Sequence, residues 1–207
     1  MPIRYEVKAY PKAVLDAASK PETYNQPEFI PWVWYDTQTI ASNQGQLSFF
    51  ATTNNDPTIT NIQIANTFSA DQYFRPFCVT ADFLIGATAQ GSSGAAQIVD
   101  DLLAIQNTWR GIFYLRISAK DYAQVPLHAI HASGGIYVSA LLGNVNSGIL
   151  NYGMNWMPDG GYWLNGAIVF APLMNFQTFL QGTGTVTLNA SRLTRISFHG
   201  SLSRRVL

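Results

Sequence analysis

The chain is 207 residues long, formally neutral, 47% apolar and only 12% charged. That length suits one domain with an arm or long loops and leaves little room for a second; the apolar share supports a real core, while charge stands at about half the usual share. One cysteine, Cys78, excludes a disulfide-stapled scaffold, and no apolar run reaches the roughly 18 to 20 residues of a bilayer span.

Residues 1–20 mix charged with apolar side chains and contain no apolar core of signal-peptide length, so no export signal is expected. Pro2, Pro11, Pro21 and Pro27 break residues 1–29 into an extended N-terminal arm with room for one short helix over 12–19. Strand chemistry begins at residues 30–35, I-P-W-V-W-Y, and resumes over 46–52 after the turn Ser42-Asn43-Gln44-Gly45. A polar loop over 53–60 turns at Asn54-Asn55-Asp56-Pro57.

The clearest alternation in the first half sets Phe77, Val79, Ala81, Phe83 and Ile85 on one face against Cys78, Thr80 and Asp82 on the other, which predicts a half-buried strand. A Gly- and Ser-rich loop over 86–94 follows. Ile98, Leu102 and Ile105 then recur at helical spacing beside Asp100 and Asp101, predicting one amphipathic helix over 95–107 with both acids on its solvated side. A hairpin is expected next: Phe113, Leu115 and Ile117 alternate with Tyr114 and Arg116, 118–121 turn, and 122–130 return toward the Gly134-Gly135 corner.

Between Tyr122 and Ser191 seventy residues carry one charged side chain, Asp159, but nine aromatics and ten glycines. Apolar runs at 136–142 and 162–171 flank an Asn- and Gly-rich loop over 143–161; Thr185–Ala190 is expected as a strand with Val186 and Leu188 inward, and Ile196 and Phe198 alternate with Arg195, Ser197 and His199. About eight short strands with one inserted helix predict an all-β sandwich or jelly roll rather than a parallel α/β sheet. The domain is expected over 30–200, followed by a basic tail over 201–207.

The near-absence of charge over 122–191 admits two readings: a surface covered by other protein, or an uncharged surface of Ser, Thr, Asn and Gln. Charge is also unevenly placed. Residues 1–190 hold eight bases and twelve acids, whereas 191–207 hold Arg192, Arg195, Arg204 and Arg205 with no acid. Four arginines suit phosphate on an inner face or acidic neighbours, or simply a solvated final strand; without interleaved aromatics they fall short of a nucleic-acid domain.

A search for reactive groups finds no G-x-S-x-G elbow, no G-x-x-x-x-G-K-[ST] phosphate loop and no H-E-x-x-H helix. Gly91-Ser92-Ser93-Gly94 lacks the lysine of a phosphate loop. His128 and His131 lie three apart, on opposite faces if extended, and with His199 exhaust the histidines. Asp100 and Asp101 diverge around a helix and make no glycosidase-type pair. No enzyme, metal or cofactor is expected. Tyr152, Trp156, Tyr162 and Trp163 read as core packing, as protein-interface anchors or as a sugar-stacking platform; Trp156, Tyr162 and Trp163 are the interface candidates.

Two ordered blocks carry a family resemblance. The first is Tyr35-Asp36-Thr37-Gln38-Thr39, then Leu47-Ser48-Phe49-Phe50-Ala51-Thr52-Thr53 and Thr60-Asn61; the second is 111–117, Lys120-Asp121-Tyr122, Val125-Pro126-Leu127-His128 and Gly134-Gly135. Across residues 34–137 the chain resembles single jelly-roll capsid proteins of tailless icosahedral bacteriophages with an internal membrane. It departs from them at 66–73, which lacks a short Leu-Pro passage, and its carboxyl half is similar only in composition.

The resemblance implies a virion protein made in the host cytoplasm, whose copies form capsomers of a shell. Arms or loops would tie neighbours and other capsid proteins, with membrane lipid or genome on the inner side. It implies no catalytic residue, cofactor or small-molecule substrate. The rival expectation is a carbohydrate- or receptor-binding β-sandwich of spike or lectin type; a small β-fold enzyme comes third.

Overall fold

The computed structural model describes residues 27–70, 72–84, 95–130, 136–139, 149–152, 161–164 and 168–205. The arm before Pro27, the 86–94 loop, His131, the Gly134-Gly135 corner, Trp156 and Asp159 lie outside them.

Ten strands are present among the described residues: β1 (Pro27–Ile40), β2 (Gln46–Phe49), β3 (Gln72–Leu84), β4 (Ile112–Ile117), β5 (Lys120–Pro126), β6 (Ile136–Ser139), β7 (Ile149–Tyr152), β8 (Tyr162–Trp163), β9 (Phe176–Gln181) and β10 (Arg192–Arg205). One helix, α1 (Ala95–Leu103), runs into a π-helical turn over Ala104–Trp109. Two antiparallel four-stranded sheets form, ordered β1-β10-β3-β8 and β2-β9-β4-β5, beside a separate β6-β7 hairpin. The architecture is an all-β sandwich.

The two four-stranded sheets share one aromatic core. Trp34, Phe74 and Phe198 enter from the first sheet, and Phe49, Phe113 and Phe176 from the second, all buried. Phe68 lies among them, 5.2 Å from the Trp34 ring, 4.9 Å from Phe170 and 5.2 Å from Phe176. Offset and edge-on pairs at such spacings add to the area they bury. The helix closes one side with Leu102, Ile105 and Trp109, all buried.

Several boundaries differ from expectation, each for a local reason. Strand β2 stops at Phe49 because Phe50 takes a positive φ of 59°, and that corner is held by Asp36, whose Oδ2 accepts the Phe50 N–H at 2.6 Å. The helix passes residue 107 in a widened turn that ends at Arg110, whose N–H donates to the Ile105 carbonyl at 3.2 Å. The loop expected over 143–161 contains β7, which pairs with β6. Among the described residues of the 162–171 run, the strand is Tyr162–Trp163.

Thr185–Ala190 is not a strand, although Val186 and Leu188 are buried as expected; Val186 instead accepts the Asn43 N–H at 2.6 Å, fastening a loop across the first turn. The tail boundary at 201 falls inside a strand, since β10 pairs with β1 as far as Arg205 and Pro27.

The inward alternation of β3 also breaks. His199 of β10 faces Cys78, but Gly200 faces Pro76, so Phe77 is an extra residue in a bulge. Phe77 therefore leaves the face of Val79, Ala81 and Phe83, which are buried, and stacks on Trp163 at 5.8 Å.

Candidate functional site

The outer face of the β1-β10-β3-β8 sheet carries side chains that the core does not use. Antiparallel register fixes its rows: Val33 beside His199 and Cys78, Tyr35 beside Ser197 and Thr80, Thr37 beside Arg195 and Asp82. At the Val33 row the face sinks into an open groove of about 550 Å³, walled by Pro31, Trp32, Tyr35 and Phe77 with His199 in its lining. The bulge turns Phe77 toward this groove.

The polar groups around the groove are mostly committed. The Asn61 side chain spans the outer edge of β1, donating from Nδ2 to the Val33 carbonyl at 2.7 Å and accepting the Tyr35 N–H on Oδ1 at 2.9 Å. Here the loop satisfies an edge that would otherwise recruit another strand. Arg195 lies over the Tyr35 ring at 4.8 Å and donates from Nε to Thr37 Oγ1 at 2.9 Å. His199 Nε2 sits 3.1 Å from Thr80 Oγ1, and burial lowers its pKa below the ordinary imidazole value. Asp82 is raised by burial, an effect that the Arg195 charge opposes.

The one thiol is covered. Glycine at 161 presses the chain against Cys78 and Thr80, leaving no room for a Cβ, and burial pushes the Cys78 thiol up to about 11. A reactive cysteine needs a lowered pKa and access, so Cys78 is a packing residue. Among the described residues no three His, Cys, Asp or Glu side chains gather as a metal site; His128 is exposed.

Of the interface candidates, Tyr162 and Trp163 form β8 at the sheet edge and are 40% and 54% exposed, so they are surface residues rather than core. Trp156 lies outside the described residues. Of the arginines, Arg195 is on the outer face, and Arg204 and Arg205 end β10, where their backbones pair with Glu28 and Pro27.

Arg192 must be removed from the phosphate-contact set. It is 1% exposed and donates from Nε to Asp101 Oδ2 at 2.8 Å in a buried ion pair. Asp101, expected on the solvated side of the helix, is equally buried and also accepts the Asn189 N–H at 2.6 Å and the Ala190 N–H at 3.2 Å. The physical reason is mutual: each charge is sustainable in the interior because it faces the other, and the Asn189 and Ala190 backbone donors further satisfy the Asp101 carboxylate.

Sequence reasoning missed the groove. Trp32, Val33 and Tyr35 stand in a strand run with no sign of which face meets solvent, and alternation sets Phe77 on the face of Val79, Ala81 and Phe83. Trp32 and Trp34, two apart in one strand, share a face by period, and only the structure shows that Trp34 is core while Trp32 is 37% exposed at the edge. No family model matches the chain, and no curated protein is significantly similar to it.

Proposed function

We propose that the chain is a structural subunit, a single jelly roll that assembles with copies of itself into the capsomers of an icosahedral virion shell. The observation that carries the reading is the β1-β10-β3-β8 sheet: Val33 and Trp163 stand in one row of its outer face, 39% and 54% exposed, and Trp32 and Tyr162 are 37% and 40% exposed at its two edge strands, beside an apolar groove. From those fractions and the size of aromatic side chains they offer on the order of 400 Å². A standard interface takes about 800 Å² from each partner, centred on a few Trp, Tyr and Arg anchors. The sheet's outer row and edge strands together therefore supply about half of one such patch as aromatic and aliphatic surface.

Strand pairing supports the jelly roll. With the β6-β7 hairpin set aside as an insertion, the remaining eight strands pair first with last, second with seventh, third with sixth and fourth with fifth: β1 with β10, β2 with β9, β3 with β8, β4 with β5. A single long antiparallel ribbon wrapped around a core produces that nesting. The scarcity of charge over 122–191 and the resemblance of 34–137 to phage capsid proteins point the same way. In this reading Arg195, Arg204 and Arg205 are the residues left to meet lipid or genome phosphate, or other capsid proteins.

Sedimentation velocity of the full chain tests the reading, with negative-stain images of the largest species. The expected result is discrete oligomers that shrink when Trp32 and Trp163 are both changed to Ala; a chain that stays monomeric at high concentration overturns it. The exposed rings also favour a second reading, a sugar-binding surface. Glycan binding by the monomer, abolished by Trp163→Ala with assembly unaffected, would put that reading first.

A further inference from the structure

We propose that residues 57–61 are a latched strap that stops β1 from pairing edge to edge with the β1 strand of a second copy, and that Tyr35 and Arg195 are its latch. This goes beyond the assembly reading and is tested separately from it.

In an antiparallel sheet, alternate residues of an edge strand turn their N–H and C=O groups away from the neighbouring strand. Among the described strands β1 is such an edge, paired on its other side with β10 from Pro27 to Ile40. Val33 and Tyr35 are outward positions, and the strap occupies them. Asn61 Nδ2 donates to the Val33 carbonyl at 2.7 Å, and Asn61 Oδ1 accepts the Tyr35 N–H at 2.9 Å. The Asn61 N–H and Thr60 Oγ1 both donate to the Tyr35 carbonyl, at 3.3 and 3.0 Å. One asparagine thus presents to the edge the donors and the acceptor that a neighbouring strand would bring. Two residues before Val33, at the same parity, Pro31 has no N–H to offer. With the strap lifted, Val33 and Tyr35 would hold open polar groups on a strand edge, and two such edges related by a twofold axis are complementary to each other.

Burial does not hold the start of the strap. Residues 51–58 are all exposed, and the apolar anchors lie to either side, at Phe50 and Ile62. Polar groups of the sheet's outer face hold it instead. Tyr35 Oη donates to the Pro57 carbonyl and Arg195 Nη2 to the Thr58 carbonyl. The two side chains brace each other, with the guanidinium 4.8 Å from the ring centroid, and Arg195 Nε is fixed on Thr37 Oγ1 at 2.9 Å. A planar guanidinium can bond two oxygens and stack on a ring at once, which an ammonium cannot.

Hydrogen exchange and sedimentation velocity of the full chain test both halves. Tyr35→Phe/Arg195→Lys keeps the ring and the charge but loses the bond to Pro57 and the fork. Its Asn61 amide is expected to exchange on the order of tenfold faster than in wild type, the size set by one or two lost bonds, with the β4 amides unchanged. Equal Asn61 rates overturn the latch. Asn61→Ala bares the Val33 carbonyl and the Tyr35 N–H. It is expected to associate several-fold more strongly than wild type, with the Tyr35 amide open to exchange in dilute monomer and protected in the associated species. No gain, or a gain that leaves Tyr35 unprotected, overturns the guard. Wild type that stays monomeric at every concentration sinks the assembly reading alone, since the comparison here is with Asn61→Ala. Should Asn61→Ala fail to fold, the latch variant decides in its place: its opened strap gives the same gain with Tyr35 protected, or the proposal is refuted.

Discussion

The buried ion pair shows how far a single residue can depart from its sequence context. Asp101 is adjacent to exposed Asp100, yet it receives Arg192 from 91 positions downstream and two backbone amides of the segment before β10. Removing one partner strands the other charge in the interior, which costs about 3–5 kcal/mol, whereas replacing both by apolar groups is often neutral. Asp101→Leu or Arg192→Met alone is thus expected to lower stability by that amount in urea titration, and the double variant to recover most of it. Additive losses would show that the two do not act as a pair. Asp101 was unreadable from the sequence because helical spacing sets which side a residue is on, but the partner that makes a buried carboxylate tolerable comes from another element.

At the scale of elements, the bulge between β3 and β10 is what builds the groove. One extra residue sends Phe77 outward to stack on Trp163, and Gly200 lets the strands close at the irregularity. A Cβ at Gly200 would run into the Arg75 carbonyl oxygen, which is backbone, and into the Phe74 ring at 2.6 Å. Gly200→Ala is therefore expected to cost about 1–3 kcal/mol, in the range of overpacked cores, with a lower denaturation midpoint at unchanged slope. An unaltered midpoint would mean that the bulge yields easily. Alternation along 77–85 was legible, and so was the inward set Val79, Ala81 and Phe83. The point at which the period slips was not, since it depends on what the partner strand places opposite.

Across the whole molecule, the last strand in sequence occupies the middle of a sheet, with β1 on one side and β3 on the other. Among the described strands, β1 pairs in its sheet with the last of them alone. Such nested, non-local pairing is slow, since loop closure precedes the contacts that reward it; folding in milliseconds to seconds is typical. Truncation after residue 191 is expected to abolish cooperative unfolding by circular dichroism, whereas a truncated chain that still unfolds in one sharp transition would separate β10 from the core.

Local pattern by itself determined that this chain is built of short strands around an apolar core with one inserted helix, because period and turn chemistry are properties of neighbouring residues. It also determined where charge is scarce. The tertiary structure alone decided that Arg192 is interior and that Val33, His199 and Cys78 share one row of an outer face, with His199 lining a groove. Each of those outcomes is set by strands that meet across more than a hundred positions or by a charge partner from another element, and the periodicity of one segment does not encode its register with another.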